Sequence, residues 1–139
     1  MRFIDSSAFL YAYIRPRRPP PPEVEDDKRR AQAIIGRVQG GEAVTTTVVH
    51  VSETANILEA RAPLEEARSI ILDILNMDTI RVTAVDSARY ARAVQVAETN
   101  DVGTNDALAY VAMSEGGISE IYSFDRHFDA LPGITRLSE

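Results

Sequence analysis

Apolar and polar positions along this chain form short blocks that switch between the two-residue period of a strand and the 3.6-residue period of a helix. Phe3 and Ile4 end a short buried strand, and Ala8 to Ile14 follow as a helix. Glu23 to Gln39 has acids first and then Ala31, Ile34, Ile35 and Val38 at helical spacing, until Gly40-Gly41 stops it. Ala43 to Thr47 is rich in β-branched residues and reads as a second strand, with Thr47 capping a helix from Val48 to about Ala60. Pro63 opens a helix from Leu64 to about Met77 whose apolar stripe is Ala67, Ile70, Ile71, Ile74 and Leu75. Thr79 to Val85 is a third strand, Asp86 caps a helix from Ser87 to about Glu98, and Asn100 to Gly103 is a turn. Thr104 to Met113 is helical and ends at Gly116-Gly117. Glu120 to Phe124 is a fourth strand, Arg126 to Asp129 a short turn, and Gly133 to Leu137 a final edge strand. The order β-α-α-β-α-α-β-α-α-β-β predicts an α/β fold with a parallel sheet of four to five strands covered by helices on both faces.

One stretch breaks the pattern. Arg15-Pro16-Arg17-Arg18-Pro19-Pro20-Pro21-Pro22 is an extended loop, in part polyproline II, too short to separate domains. The 139 residues therefore form one domain, 1–139, with residues 15–22 as a surface loop. No apolar run approaches the roughly 20 residues of a membrane helix, and the N-terminus lacks a signal-peptide pattern, so a cytoplasmic protein with no membrane partner is expected. There are no cysteines, which excludes disulfides and thiolate metal sites. A net charge of −6 argues against nonspecific nucleic-acid binding by the chain as a whole, although local patches and bound cations matter more than the total. Arginine supplies nearly all the positive charge, and Lys28 is the only lysine.

The candidate chemistry lies in acids placed where strands give way to helices. Asp5 follows the first strand and Asp125 the fourth, so in a parallel sheet both emerge at the carboxyl edge, where open α/β folds hold their ligands. Capping is the bland alternative for Asp5. Glu53 lies on or beside the buried stripe of its helix, among Val49, Asn56 and Ile57, where a carboxylate is costly unless paired or bound to metal. Asp106 sits in the first turn of its helix, which the dipole favours, yet shares a face with Ala109, Tyr110 and Met113. Carboxylates brought within a few ångströms repel unless a cation intervenes. All-oxygen ligation selects Mg²⁺ or Mn²⁺ over Zn²⁺, and Mg²⁺ favours phosphate chemistry. His50 and His127 do not form a zinc pattern; His127 reads as an exposed or turn-stabilising residue. The five tyrosines follow apolar faces, and most read as core or interface residues, not base-stacking platforms.

The segments FIDSSAFLYAY (3–13), VVHVSETANIL (48–58) and TNDALAYVAMSEGGISEIYSFDRHFDALPGITRL (104–137) together resemble a PIN-domain protein, most of all the prokaryotic single-domain forms that include VapC-type ribonuclease toxins. The resemblance covers most of the chain. It implies a Rossmann-like three-layer α/β/α domain and a metal-dependent endoribonuclease. Asp5, Glu53, Asp106 and Asp125 would be the acidic quartet that is both catalytic and metal-binding, Ser7 and Ser123 would orient the site, and Asp129 would be a candidate fifth acid. One or two Mg²⁺ or Mn²⁺ ions would activate water for in-line hydrolysis of RNA, leaving a 3′-hydroxyl and a 5′-phosphate. A small antitoxin partner, a homodimer and the toxin role in a type II toxin–antitoxin pair are further implications. Arg15, Arg17, Arg18, Arg61 and Arg126 are candidate phosphate contacts. The proline-arginine loop departs from the compact family form.

Two other readings compete. A phospho-receiver-like signalling module also groups acids at a sheet edge, but it needs a lysine near a later strand end, and Lys28 lies elsewhere in the sequence. A catalytically silent scaffold with the same fold would have no working metal site.

Overall fold

The computed structural model describes residues 1–139. Five strands, β1 (Arg2–Ile4), β2 (Val44–Thr47), β3 (Ile80–Thr83), β4 (Glu120–Tyr122) and β5 (Thr135–Leu137), form one sheet in the order β3-β2-β1-β4-β5. Every pairing is parallel. Two helices link each of the first strands: α1 (Ser6–Tyr13) and α2 (Pro22–Gln39), then α3 (Val48–Arg61) and α4 (Leu64–Asn76), then α5 (Ser87–Asn100) and α6 (Thr104–Glu115). A short 3-10 turn, Arg126–Ala130, joins β4 to β5.

The strand period sorts the core onto two faces. Ile4, Val44 and Tyr122 point one way and pack under α1 to α4, against Phe9, Ile34, Val38, Val51 and Ile74. Phe3 and Ile121 point the other way, against Ala109, Met113, Phe128 and Leu131. Strands covered on both sides read as continuous apolar or β-branched runs, as in β2, whose four residues are all buried. The result is the expected three-layer α/β/α sandwich.

Several element ends differ from those expected. The third and fifth strands are shorter than Thr79–Val85 and Gly133–Leu137, because each lies at a sheet edge and its ladder ends with its single partner, β2 or β4. Helix α1 starts at Ser6 and not Ala8, because Asp5 caps it directly. Helix α5 runs on to Asn100, where Asp101 turns it with a positive φ of 53°.

The strand order creates the feature that matters for function. The chain leaves β1 toward β2 and β3 on one side, then crosses back to β4 on the other. The direction in which strands are added to the sheet thus reverses between β1 and β4, and a crevice opens there at their carboxyl ends. Asp5 and Asp125 flank it. Helix α2 also matters: its buried residues are Ala31, Ile34, Ile35 and Val38, all in its second half. Its length is roughly 27 Å against roughly 13 Å for β2, so its first half projects beyond the carboxyl edge of the sheet. No helix is long and apolar enough to cross a membrane.

Candidate active site

Asp5 is both a cap and a site residue. Its backbone N–H donates to the Tyr122 carbonyl at 3.0 Å, tying the end of β1 to the end of β4. Its carboxylate accepts from the hydroxyls of Ser7 (2.7 Å) and Ser123 (2.9 Å) and, more loosely, from Ser7 N–H (3.4 Å). All of these fall on Oδ2, which leaves Oδ1 free of protein donors. The two serines also accept, Ser7 from Phe124 N–H at 2.9 Å and Ser123 from Asp125 N–H at 3.0 Å. They therefore fix the chain from Ser123 to Asp125 relative to Asp5.

Glu53 projects from the second turn of α3 into a hydrogen-bonded cradle. The Ser6 hydroxyl donates to Oε1, and the Asn105 side-chain amide donates to Oε2 at 2.6 Å. Asn105 is held in turn: its Oδ1 accepts from the Tyr90 hydroxyl at 2.6 Å, and its backbone carbonyl lies 2.9 Å from His50 Nε2. His50 is fully buried, edge-on to Phe3, and its Nδ1 lies 2.6 Å from the Thr47 hydroxyl. Burial holds its pKa below the usual 6.5, against the pull of Asp5, the Asn105 carbonyl and Glu53. A carbonyl can only accept, so the neutral ring carries its proton on Nε2 and accepts from Thr47 at Nδ1. His50 thus anchors the first turn of α6 to the start of α3.

Asp106 follows Asn105 in that turn and is half-buried. Its carboxyl is pushed up from the usual 3.8 to about 7, first by burial, then by Asp125 and Asp5, with Glu53 adding and His127 opposing. Asp125 caps the 3-10 turn, accepting from His127 N–H at 2.9 Å. The His127 ring bridges the two acids, with Nδ1 at 2.9 Å from Asp125 and 3.7 Å from Asp106. Asp106, Asp125 and His127 each offer a ligand atom within 4.8 Å of the others. An open groove of about 520 Å³ runs over Glu53, Tyr90, Asn105, Asp106, Asp125 and His127.

The donor chemistry fits a hard divalent cation. Burial and the neighbouring carboxylates of Asp125, Asp5 and Glu53 raise the cost of ionising Asp106, and Asp5 keeps an oxygen unengaged. His127 adds a nitrogen at the exposed rim that the expected all-oxygen set did not include. Asp5 and Glu53 lie outside the Asp106–Asp125–His127 group whose ligand atoms fall within 4.8 Å of one another, and both Glu53 oxygens already receive protein hydrogen bonds. Asp129 lies outside the group: Arg136 grips both its oxygens, at 2.9 and 3.2 Å, and holds its carboxyl below the usual range. Arg126 is exposed beside this turn, while Arg15, Arg17 and Arg61 line a separate cleft. Lys28 is spent elsewhere, donating to the carbonyls of Tyr11, Ala12 and Ile14 at the end of α1, where burial and Arg15 lower its pKa.

Ser6, Asn105, Tyr90 and His50 were not foreseen as site residues. The available signals were adjacency alone, Ser6 beside Asp5 and Asn105 beside Asp106.

Residues 2–134 match the PIN domain family model. No curated protein matches the chain. Among solved structures it is similar to VapC20 of Mycobacterium tuberculosis, a Sarcin-Ricin loop cleaving toxin, with 22% identity, 94% of each chain covered and a TM-score of 0.70. It is also similar to VapBC2 of Rickettsia felis bound to a promoter DNA fragment, with 11% identity over 98% of this chain and 96% of that one, TM-score 0.64. FitAcB of Neisseria gonorrhoeae is a third likeness, with 15% identity over 99% and 96%, TM-score 0.61. At these identities the likeness is one of fold.

Proposed function

Since the chain belongs to the PIN-domain family, we propose that it is an Mg²⁺- or Mn²⁺-dependent endoribonuclease acting in the cytoplasm, and the toxin of a type II toxin–antitoxin pair. One observation carries the reading. Asp106, Asp125 and His127 offer ligand atoms within 4.8 Å of one another, and the charges of Asp125, Asp5 and Glu53 add to the burial that pushes the Asp106 carboxyl up to about 7. A protein with no use for a cation there would gain by replacing one of them.

Asp5, Asp106 and Asp125 would hold the ion. When bound, it would neutralise the scissile phosphodiester and supply an activated water. The protein's own residues do the rest. Ser7 and Ser123 fix Asp5 through Oδ2 and leave Oδ1 without a protein donor, able to take a cation. Glu53, oriented by Ser6 and Asn105, aligns the attacking water. His127, at the exposed rim beside Asp125, is placed to meet the substrate phosphate.

The toxin role and a small antitoxin partner draw support from the VapC20, VapBC2 and FitAcB likenesses. Leu72 and Leu75, 58% and 46% exposed on α4, supply apolar surface for a second copy of the chain. The test is RNA cleavage by the purified chain with Mn²⁺ or Mg²⁺. Cleavage should stop in chelator and in Asp5→Asn, with the circular dichroism spectrum unchanged. Full activity in either condition would refute the mechanism, and growth arrest on induction that survives Asp5→Asn would refute the toxin reading.

A further inference from the structure

Strand β3 alternates. Ile80 and Val82 turn toward the core under α1 to α4, so Arg81 and Thr83 point to the opposite face of the sheet. Register sets Thr45 beside Arg81, and Phe3 beside Thr45, on that same face. There α6 covers Phe3 with Ala109 and Met113. Toward the edge of the sheet the cover ends, and Arg81 is exposed and Thr83 half-buried. A polar strip of sheet is left open between β3 and the α5–α6 pair.

This strip floors a cleft of about 290 Å³, lined by Thr45, Arg81, Thr83, Arg89, Ala112 and Glu115, among others. The cleft shares no residue with the acidic groove. Helix α6 runs between the two, with Asp106 in its first turn and Glu115 at its end, about 14 Å apart along the axis.

The side chains of the cleft have defined hydrogen-bonding capacity. Thr45 donates its hydroxyl proton to the Arg81 carbonyl at 3.1 Å, and Thr83 donates to the Thr46 carbonyl at 3.1 Å. Toward the cleft both oxygens can therefore only accept. Arg89 reaches over from α5, Nη1 donating to the Ala84 carbonyl at 3.1 Å and Nη2 to Glu115 at 2.8 Å. Its Nε is buried without an acceptor, a cost that an oxyanion would offset. Arg81 has no carboxylate within 4.0 Å. Glu115 is the one acid lining the cleft, and Arg92 holds it as well, at 3.0 Å. Three guanidiniums thus face one carboxylate, in a chain whose net charge is −6.

Free guanidinium donors select an oxyanion, and threonine oxygens with spent protons select hydroxyl donors. A phosphomonoester carries roughly two negative charges and three acceptor oxygens, enough for both Arg81 and Arg89. The cleft, at about 290 Å³, lies at the lower limit of small-molecule sites, roughly 300 Å³, so it takes a sugar-sized molecule and not a nucleic-acid strand. We propose that it binds a small polyhydroxylated phosphomonoester, whose phosphate pairs with Arg81 and Arg89 and whose hydroxyls donate to Thr45 and Thr83. This site does not depend on the nuclease reading.

The test is calorimetric titration of the full chain with ribose 5-phosphate in EDTA at low salt, with ribose and inorganic phosphate as the two halves of the ligand. Ribose 5-phosphate should bind more tightly than either half. Arg81→Ala should weaken it about tenfold and Arg81→Lys about threefold, since lysine keeps the charge and loses the planar fork. Thr83→Val should weaken ribose 5-phosphate about threefold and leave inorganic phosphate unchanged, a split that general damage to the fold would not produce. Arg81 is exposed and unpaired, so both of its variants should unfold at the wild-type temperature. Asp106→Asn should bind as wild type does. Absence of saturable binding up to roughly 10 mM, wild-type affinity in Arg81→Ala, or loss of binding in Asp106→Asn would each overturn the proposal. So would tighter, Arg81-dependent binding of a 5′-phosphorylated RNA, which would make the cleft a strand-end site.

Discussion

Asp106→Asn should make the metal-free protein more stable while removing its activity. The wild-type carboxyl is pushed from 3.8 up to about 7 by burial and by Asp125, Asp5 and Glu53. A carboxyl whose folded pKa lies above its unfolded value contributes stability that is complete below about pH 4 and is lost as pH rises through about 7. At about 1.36 kcal/mol per pKa unit the full cost of ionisation would be about 4 kcal/mol. Asp106 lines an open groove, and solvent screening reduces this to about 2 kcal/mol. In EDTA at pH 8 the variant should therefore unfold about 6 °C higher than wild type, at roughly 3 °C per kcal/mol for a domain of this size. The gap should narrow as pH falls toward 4, where the folded wild-type carboxyl is protonated and the unfolded one begins to be. Adding Mn²⁺ should reverse the order by stabilising wild type alone, by about 2.7 kcal/mol at a hundred times its dissociation constant. Differential scanning fluorimetry over pH 4 to pH 8, with and without Mn²⁺, measures all three. A variant less stable than wild type at pH 8 in chelator, or an advantage independent of pH, would refute the reasoning.

Asn105→Ala and Tyr90→Phe should each lower kcat for RNA cleavage by roughly tenfold, leaving Mn²⁺ affinity by calorimetry within threefold, because they orient Glu53 without holding the ion. A parallel loss of Mn²⁺ affinity would place Glu53 among the direct ligands. By NMR the His50 ring should protonate at lower pH than an imidazole of pKa 6.5, since burial holds its pKa below that value; its contribution to stability is present above pH 6.5 and is lost as pH falls below it. His50→Ala should cost about 3 kcal/mol in urea unfolding, through lost packing and an unpaired Thr47 hydroxyl. Asp129→Asn should leave cleavage within twofold of wild type, because Arg136 and not the crevice claims that carboxylate; a hundredfold loss would return Asp129 to the site.

The order of elements was readable because each carries its own punctuation. Pro63 opens a helix, Gly40 and Gly116 close others, and the buried β2 shows as Val44-Thr45-Thr46-Thr47, whereas Pro22 was read as loop and is the first residue of α2. The acids after β1 and β4 were readable for the same reason, as charges where apolar sequence should continue. Strand neighbours were not, since parallel pairing leaves no local mark on either strand. The bridge from Ser7 and Ser123 to one oxygen of Asp5 depends on β1 lying beside β4 and so could only be seen in three dimensions. Asn105 was hidden by position, because a polar residue at a helix start already has a reason to be there. Tyr90 sat at helical spacing among apolar residues, and the target of its hydroxyl is 15 residues away. His127 was read as exposed, and it is, at 73%; its contact with both Asp125 and Asp106 follows from the 3-10 turn that folds it back over them.

The central claim is that Asp5, Asp106 and Asp125 grip one hard cation. A crystal soaked in Mn²⁺ and measured for anomalous scattering tests it most directly. The account predicts a peak bounded by those three carboxylates, within coordination distance of the free oxygen of Asp5 and absent from crystals of Asp106→Asn. A crevice without a peak at saturating Mn²⁺, or an ion bound elsewhere with these acids untouched, would contradict it.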